Sequence, residues 1–516
     1  MKRIAQSALV CALAACSTEY VYVHSDPGTG AGDDGGVALD DAGNPIVDAA
    51  PPSNGALAAN VAISDIAVFQ GVKVTLVKAG KPSSSKAPVV ANRDALLRVY
   101  ATPDTSYKPH ALTAYLTITS SGGALSRKDT KTISSSWSEA SSSSLFEFLV
   151  PAANLTTDAE FSVKIIDPSA AGGATGSSPA QYPNDGSQAS LSARSSGNQV
   201  KIHYFPLVTN NLTPPTDAAH IATIKDLLYE LYPVSAVEFT VMPAVKYPGS
   251  APAANGTNWG NMLNWFLQKR QTDNPPDDVY YYGAFTPASS FASFCGNGCV
   301  AGLSSLAQSV QDVFARASIG LGYSGSQTST DTAFTAAHEI GHAHGRSHAP
   351  CGPVQGIDNA FPYSNASIGV WGYGLLDKTF IDPAAGHDMM GYCPDHEWIS
   401  DYTYKALFDR IAAVNGANFI YPKEQLEPRD YAWVNVAGDG TLTWGATVTV
   451  SRPVYGDPHT VSYLSGDGKT IKSVTGSYYS YDHLGGGYML VPVGPPQAVR
   501  AIAPDFSAIA VSTLIR

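Results

Sequence analysis

The spacing of apolar side chains changes twice along this 516-residue chain. Between residues 61 and 197, runs such as Leu112 to Ile118 alternate apolar with polar positions and are separated by Ser-, Gly- and Pro-rich turns. A period of two indicates strands with one buried face, and many such short strands indicate an antiparallel β-sandwich. Residues 421–516 return to the same pattern, so we expect a second, smaller β-sandwich there.

The middle region, residues 198–420, mixes two periods. Apolar residues recur at helical spacing from Ile221 to Leu231, after Asp217 as a candidate N-cap, and strand-like runs such as Val279 to Phe285 follow. Helices that alternate with strands predict an α+β domain. The predicted fold class is therefore a multidomain protein, with an α+β domain flanked by two β-sandwich domains.

The first residues predict export. Lys2 and Arg3 precede an apolar run that is too short to span a bilayer, which is the layout of a secretory signal peptide over residues 1–16. The Leu-Ala-Ala-Cys sequence ending at Cys16 resembles the bacterial lipoprotein box, and an ordinary signal with an incidental Cys is the alternative. The resemblance implies cleavage before Cys16 and a lipid on its thiol, so we expect an exported protein anchored to a bacterial membrane, at the outer membrane or cell surface.

The distribution of charge limits the kinds of partner that the protein is expected to bind. Residues 17–60 hold seven acidic residues and no Lys or Arg, a composition that cannot form a core, so we expect a flexible tether. The whole chain has 31 Lys and Arg against 43 Asp and Glu, with a net charge of −12. It therefore offers no basic field for nucleic acid. The oligomeric state is left open.

Cysteine usage fits an oxidising compartment. Four cysteines remain once Cys11 in the signal and Cys16 are set aside, namely Cys295, Cys299, Cys351 and Cys393. An even count in an exported chain favours disulfides. Of the three pairings we favour Cys295–Cys299, whose intervening glycines allow a tight closure, together with Cys351–Cys393. A structural zinc site of four thiolates is the competing interpretation.

One segment carries chemistry: His338-Glu339-Ile-Gly-His342-Ala-His-Gly345-Arg-Ser-His348. Residues four apart on a helix share a face, so His338 and His342 can present two imidazoles to one metal ion. Gly345 can adopt positive φ and end the helix, which lets His348 supply a third nitrogen. Three imidazoles with one open position are the ligand set of a catalytic Zn²⁺, and Glu339 would take a proton from the zinc-bound water.

The extended pattern is specific. His-Glu-x-x-His alone occurs by accident in inert helices, but five fixed positions at this composition give an expectation on the order of 10⁻⁵ per chain. A thermolysin-type site would need a downstream Glu as third ligand. The next Glu is Glu397, in a different motif, so His348 is preferred. His344 points away from this face of the helix and is not expected to be a ligand.

This arrangement closely resembles the signature of the metzincin zinc metalloproteases, which continues into a Met-containing turn. The segment His387-Asp-Met-Met390-Gly-Tyr392 resembles that turn. The resemblance implies that Met390 forms the apolar floor beneath the zinc, with core filling as the alternative. It implies that Tyr392 is a further zinc ligand or a donor to the tetrahedral intermediate. Tyr280 to Tyr282 would belong to the sheet edge that holds an extended peptide, although core packing explains them as well.

The sequence between residues 275 and 413 is similar to that of exported bacterial metzincins, including StcE-like mucin-cleaving enzymes. We therefore expect a surface-anchored zinc endopeptidase that cleaves proteins or glycoproteins, with mucin-type targets as one candidate class. The alternative is a surface adhesin or glycan-binding protein with a vestigial zinc site. Three aspartates, Asp358, Asp377 and Asp382, offer oxygen ligands for Ca²⁺, but no regular spacing supports a calcium site. No Cys lies between Cys16 and Cys295, so a pro-segment thiol on zinc is not expected.

Overall fold

A computed structural model describes residues 50–52, 55–133, 137–141, 145–171, 178–197, 199–307, 309–393, 396–416, 427–503, 506 and 508–510. The predicted signal peptide, Cys16 and most of the tether lie outside these residues. Among the helices that the structure describes, none is long and apolar enough to cross a bilayer.

The N-terminal region is built from ten strands: β1 (Gly55–Leu57), β2 (Val61–Lys78), β3 (Lys81–Pro82), β4 (Ala95–Pro103), β5 (Ala111–Ser120), β6 (Gly123–Thr132), β7 (Phe146–Val150), β8 (Glu160–Ala171), β9 (Gln181–Tyr182) and β10 (Ala189–Ser190). One sheet has the order β1-β8-β5-β6, with β9 and β10 also on β8, and a second contains β2, β3, β4 and β7. Val68 and Leu97 of the second sheet share one buried core with Leu116 and Val163 of the first. Strand β1 pairs with β8, so folded structure begins before residue 61.

The middle region contains both element types: β11 (Gln199–Val208), α1 (Ala218–Leu231), β12 (Ala236–Val241), β13 (Val245–Lys246), α2 (Trp259–Asp273), β14 (Val279–Phe285), α3 (Phe291–Cys295), β15 (Gly302–Ser304), β16 (Ala317–Leu321), α4 (Ser326–Ala343), β17 (Gly372–Tyr373), β18 (Phe380–Ile381), β19 (His387–Asp388), β20 (Glu397–Trp398) and α5 (Asp401–Asn415). Short 3₁₀ helices cover Ala152–Asn154, Val313–Ala315 and Ser364–Ala366. The α1 N-cap is Asp217, whose side chain accepts from His220 N.

The central sheet of this region has the order β12-β11-β14-β16-β15. Its strands run parallel except β15, which is antiparallel to β16 and lies at the edge of the sheet. Every residue of β14 is buried, as expected for a central strand covered on both faces. The edge interpretation of Tyr280 to Tyr282 is therefore wrong, because these tyrosines pack in the core. A run of three aromatic residues fits either position, so the sequence alone did not decide.

The C-terminal region is a single sheet of seven antiparallel strands: β21 (Arg429–Ala437), β22 (Leu442–Val450), β23 (Asp457–Leu464), β24 (Thr470–Ser480), β25 (Gly486–Pro492), β26 (Arg500–Ile502) and β27 (Ala508–Ala510). The order is β22-β21-β25-β24-β23-β26-β27, and the edge strands β22 and β27 approach each other, so the sheet is strongly curved. The prediction of a β-sandwich is wrong in this respect, because one sheet takes the place of two. Alternation shows that one face is buried, but a curved sheet that packs on itself satisfies the same pattern as a sandwich.

The middle region packs against both flanking regions. Strand β17 joins the N-terminal region by pairing with β2, and Trp398 Nε1 donates to Gly71 O at 2.7 Å. On the other side, the outer face of the C-terminal sheet covers the middle region, where the Trp433 and Phe314 rings lie 5.5 Å apart. The described chain is β-rich, and its middle region is covered by a β region on each side.

Candidate metal centre

Helix α4 supplies the first part of the site. His338, Glu339 and His342 lie in its last two turns and are all buried. The helix ends at Ala343, and Gly345 follows with φ of 81°. A side chain does not fit at Gly345, because an added Cβ would lie 2.1 Å from Arg410 Nη2 and 2.8 Å from Ala307 O. The reversal at this glycine brings the buried His348 back toward the helix.

Three imidazoles converge. His342 Nε2 lies 2.9 Å from His338 Nε2 and 3.2 Å from His348 Nε2. On the far side of each ring, Nδ1 faces a backbone carbonyl: Met389 O for His338 and Arg346 O for His342, both at 2.6 Å, and Gln355 O for His348. A carbonyl can only accept, so each Nδ1 carries the proton and each Nε2 presents a lone pair.

The direction of these lone pairs shows whether a metal ion would fit between the three imidazoles. Three nitrogen lone pairs that point at one another inside a buried site repel, and a cation between them turns the repulsion into ligation. Burial, followed by the neighbouring imidazoles, lowers the pKa of His338 and His342 well below the ordinary value, and burial lowers the pKa of His348 to about 4. All three imidazoles are therefore neutral at neutral pH, which is the form that binds a metal. The donor set fits a metal ion.

Glu339 lies on the same helix, one residue after the first ligand. Burial raises the pKa of its carboxyl group to about 8. The carboxyl group of Glu339 is hydrogen-bonded to that of Asp482, which is also buried. Two buried carboxyl groups thus lie beside the imidazole cluster.

The Met-containing turn lies under helix α4. A methyl group on Gly341 would come within 2.7 Å of Met390 Sδ, so the sulfur packs directly against the helix backbone. The preceding residue, Met389, supplies the carbonyl that holds His338. The buried Asp388 accepts from Met390 N at 2.9 Å and from Ser400 N at 3.0 Å. The side chains of Ser400 and Thr403 also hydrogen-bond to this carboxylate, which therefore holds the turn in place.

Tyr392 lies beside the imidazoles. Its ring centroid is 5.1 Å from that of His348 and 5.8 Å from that of His338. The ring of His483 lies almost parallel to that of Tyr392, with an angle of 5° between the planes and 5.1 Å between the centroids. The Tyr392 hydroxyl lies 3.4 Å from His483 Nε2. The tyrosine thus faces the site, but in this structure it packs against a residue from the C-terminal region.

Two residues at this site, Asp482 and His483, were not found from the sequence. Donor atoms of His338, His342, His348 and His483 all lie within 4.8 Å of one another. His483 Nε2 is 2.7 Å from Glu339 Oε1, and Asp482 Oδ2 is 3.3 Å from His342 Nε2. Burial lowers the pKa of His483 to about 3. Burial, then the charge of Glu339, raises the pKa of Asp482 well above its usual range.

Both favoured disulfides are present, Cys295–Cys299 and Cys351–Cys393. Their formation leaves no thiolates for the alternative four-cysteine zinc site. The second bond joins the loop after His348 to the residue after Tyr392, so it ties the third imidazole to the Met-containing turn. The two loops that shape the site are therefore covalently linked.

The remaining candidates lie outside the imidazole cluster. His344 Nδ1 faces Ile340 O at 2.7 Å, and the ring stacks on Tyr280 at 3.9 Å. Asp358 pairs with Arg346 at 2.9 Å, while Asp377 and Asp382 accept from nearby backbone N–H groups. None of the metal-compatible clusters found in the described part of the chain contains these aspartates. The calcium possibility gains no support from them.

Comparison with known proteins supports the interpretation of this site as a metal centre. The family model of Peptidase M66 matches residues 301–403, the segment that holds the three histidines, Glu339 and the Met-containing turn. The match supports a metallopeptidase, and a peptidase implies a protein substrate. No curated protein matches the chain. A solved structure titled "Structure of a chaperone-substrate complex" aligns at 10% identity with a TM-score of 0.23, over 52% of this chain and only 39% of its own length. At that score it carries no argument about fold.

Proposed function

We propose that this chain is a metzincin-type zinc endopeptidase that hydrolyses peptide bonds in proteins or glycoproteins. The observation that carries the proposal is the convergence of three unprotonated Nε2 atoms beside a glutamate on the same helix. That arrangement is the donor set of a catalytic zinc with its general base. The match of residues 301–403 to a peptidase family supports the same reaction class.

The position of each residue in the site indicates its proposed role. His338, His342 and His348 would hold the ion, which when bound polarises the scissile carbonyl and activates water. Glu339 is placed to take the proton of the attacking water and to return it to the departing amine, since a bound cation would lower the pKa of its carboxyl group and ionise it. Tyr392, beside the imidazoles, is placed to donate a hydrogen bond to the oxyanion once its hydroxyl is free of His483. Met390 supports the helix from below.

The experiment compares the parent with Glu339→Gln on an unfolded protein substrate, with the exposed Glu238→Gln on β12 as the matched control. Glutamine keeps the shape of the side chain but cannot accept the proton, so we expect zinc content and thermal melting to be retained while cleavage is lost. Cleavage by Glu339→Gln at the rate of the parent would contradict the mechanism. No cleavage by the parent, together with glycan binding that persists unchanged in Glu339→Gln, would favour the glycan-binding alternative.

We also propose that lipid on Cys16 anchors the enzyme at a bacterial surface. The support is the sequence pattern alone, since the segment lies outside the described residues. Cys16→Ala should move the protein from the membrane fraction to the soluble exported fraction. Retention of Cys16→Ala in membranes would contradict the anchor and leave the peptidase proposal untouched.

A further inference from the structure

The turn between β24 and β25 enters the metal centre from the C-terminal sheet. We call residues 481–485 the docking turn. Asp482 is buried, and the side chain of His483 is 14% exposed. These residues belong to a different region of the fold from the three imidazoles on and after α4. The docking turn therefore places a largely buried Asp-His pair inside the polar cluster of another region of the fold.

The docking turn first makes an isolated antiparallel bridge just beyond the end of β15. Strand β15 is the antiparallel edge of the central sheet, and residues 304–306 pair with residues 480–482. Asp482 N donates to Ser304 O at 3.3 Å, and Leu306 N donates to Ser480 O at 3.4 Å. Ser304 N donates to Asp482 Oδ1 at 2.9 Å. The chain thus places its own segment at the C-terminal end of the sheet edge to which an extended peptide could add a strand.

The docking turn then reaches the imidazoles. His483 contributes a fourth donor atom to the cluster within 4.8 Å. Its Nε2 atom lies 2.7 Å from Glu339 Oε1, and the ring stacks on Tyr392. One side chain therefore contacts the proposed general base, packs on the candidate oxyanion donor and lies beside the other three imidazoles.

Contacts behind the docking turn hold it there. Tyr481 Oη donates to Asn264 Oδ1 at 3.0 Å, on α2. Leu484 packs against Gly256, where an added Cβ would lie 2.7 Å from Leu484 Cδ2. At the base of the hairpin, Tyr479 Oη donates to Asp312 Oδ1 at 2.8 Å. The position of His483 is therefore fixed by contacts on both sides of the turn.

We propose that His483 is a fourth protein ligand of the metal ion, and that the docking turn keeps the peptidase in a latent form. The latency rests on the function proposed above, whereas the ligand role does not. With His483 bound, four imidazoles would supply all the ligands of a four-coordinate zinc ion, and no position would remain for water or a substrate carbonyl. The docking turn also covers the C-terminal end of the sheet edge that a peptide substrate would use. Substrate enters only in the fraction of molecules in which the turn has moved away, so the parent keeps a low rate of cleavage.

The test uses the full chain loaded with Zn²⁺ or Co²⁺, and compares the parent with His483→Ala. His459→Ala is the control, because it removes a histidine from the same sheet whose ring packs on Tyr478 and Phe506. We expect His483→Ala to bind one ion, to lose it to a chelator at least about tenfold faster, and to change the visible absorption of bound Co²⁺. We also expect its cleavage of unfolded protein to rise at least about tenfold, because a metal position opens.

A second variant separates displacement of the turn from loss of the imidazole. Leu484→Asp places a carboxylate against Gly256, so it should expel the docking turn while His483 is retained. It should reproduce the faster metal loss and the higher cleavage of His483→Ala. Thermal melting and metal content establish that each variant is folded.

The outcomes separate the two proposals. Unchanged Co²⁺ absorption and metal loss in His483→Ala would overturn the ligand role. Cleavage that falls, or stays at the rate of the parent, in both variants would overturn latency and leave the peptidase proposal standing. A changed Co²⁺ spectrum with no cleavage by the parent or either variant would support the ligand role and contradict the proposed function.

Discussion

Replacement of Gly345 by alanine is expected to damage the site more than its small size suggests. Gly345 has φ of 81° and its Cα faces Arg410, so an alanine would meet two separate penalties. The first is the left-handed backbone conformation, which costs an L-residue roughly 1 to 2 kcal/mol. The second is steric, because the new Cβ would lie 2.1 Å from Arg410 Nη2.

The steric penalty follows from the bonds that Arg410 makes. Arg410 Nη2 donates to Ala307 O at 2.7 Å, and Nε donates to His344 O at 2.8 Å. Moving the guanidinium away breaks at least one hydrogen bond of a charged group, worth about 1.5 to 3 kcal/mol. Together the two penalties give about 3 to 5 kcal/mol. In a domain of this size each kcal/mol lowers Tm by about 2 to 4 °C, so we expect a loss of roughly 10 °C.

Gly468 provides the matched control. It has the same φ of 81°, but nothing lies within 4 Å of its hypothetical Cβ, so Gly468→Ala carries only the backbone penalty of roughly 1 to 2 kcal/mol. Thermal denaturation of both variants, with zinc content measured in parallel, isolates the steric part. Because Gly345 directs the chain to His348, Gly345→Ala should also lose zinc. Equal melting and equal zinc content in the two variants would refute the reasoning.

Three further outcomes are expected. Met390→Ala should lower the free energy of unfolding by about 2 to 5 kcal/mol in a urea titration, because it leaves a cavity under α4, whereas Met390→Leu should cost under about 1.5 kcal/mol; equal losses would contradict close packing there. Opening Cys351–Cys393, which closes a separation of 42 residues, by serine substitution should cost about 4 kcal/mol, against about 2 kcal/mol for Cys295–Cys299 with a separation of 4, and the reverse order in thermal melting would contradict the loop-entropy explanation. Removal of the metal by a chelator should lower Tm, and Zn²⁺ at 1,000 times its dissociation constant should restore about 4 kcal/mol of stability; melting that ignores both additions would argue against a metal at the three imidazoles.

Local spacing explains why the group of three histidines could be predicted from the sequence. His338 and His342 are neighbours because a helix repeats every 3.6 residues, and Gly345 marks a reversal because only a residue without Cβ fits there. The disulfides follow similarly from short-range closure and an even count. Each of these inferences depends on geometry within a few residues, or on a chemical inventory, so no knowledge of the tertiary fold was needed.

Docking between regions explains what was missed. His483 reaches the imidazoles only because the outer face of the C-terminal sheet packs on the middle region through residues such as Trp433 and Tyr488, and no spacing rule links those positions to α4. The Asp482-His483 pair in a glycine-rich turn has no motif of its own. The same reason applies to Tyr280 to Tyr282, since strand order is a tertiary property that alternation does not encode.

The proposed fourth ligand links metal binding to the packing of the C-terminal sheet. If His483 binds the ion only when the docking turn is in place, docking raises the affinity for the metal, and by reciprocity the metal stabilises docking by the same free energy. A ligand worth tenfold in metal affinity is then worth about 1.4 kcal/mol to the docked state. Metal removal should therefore loosen the docking turn at β15, and hydrogen exchange at Ser304 N and Asp482 N should rise on chelation in the parent. In His483→Ala, the same amides should exchange at a rate that does not depend on the metal, and a metal-dependent rate in that variant would break the linkage.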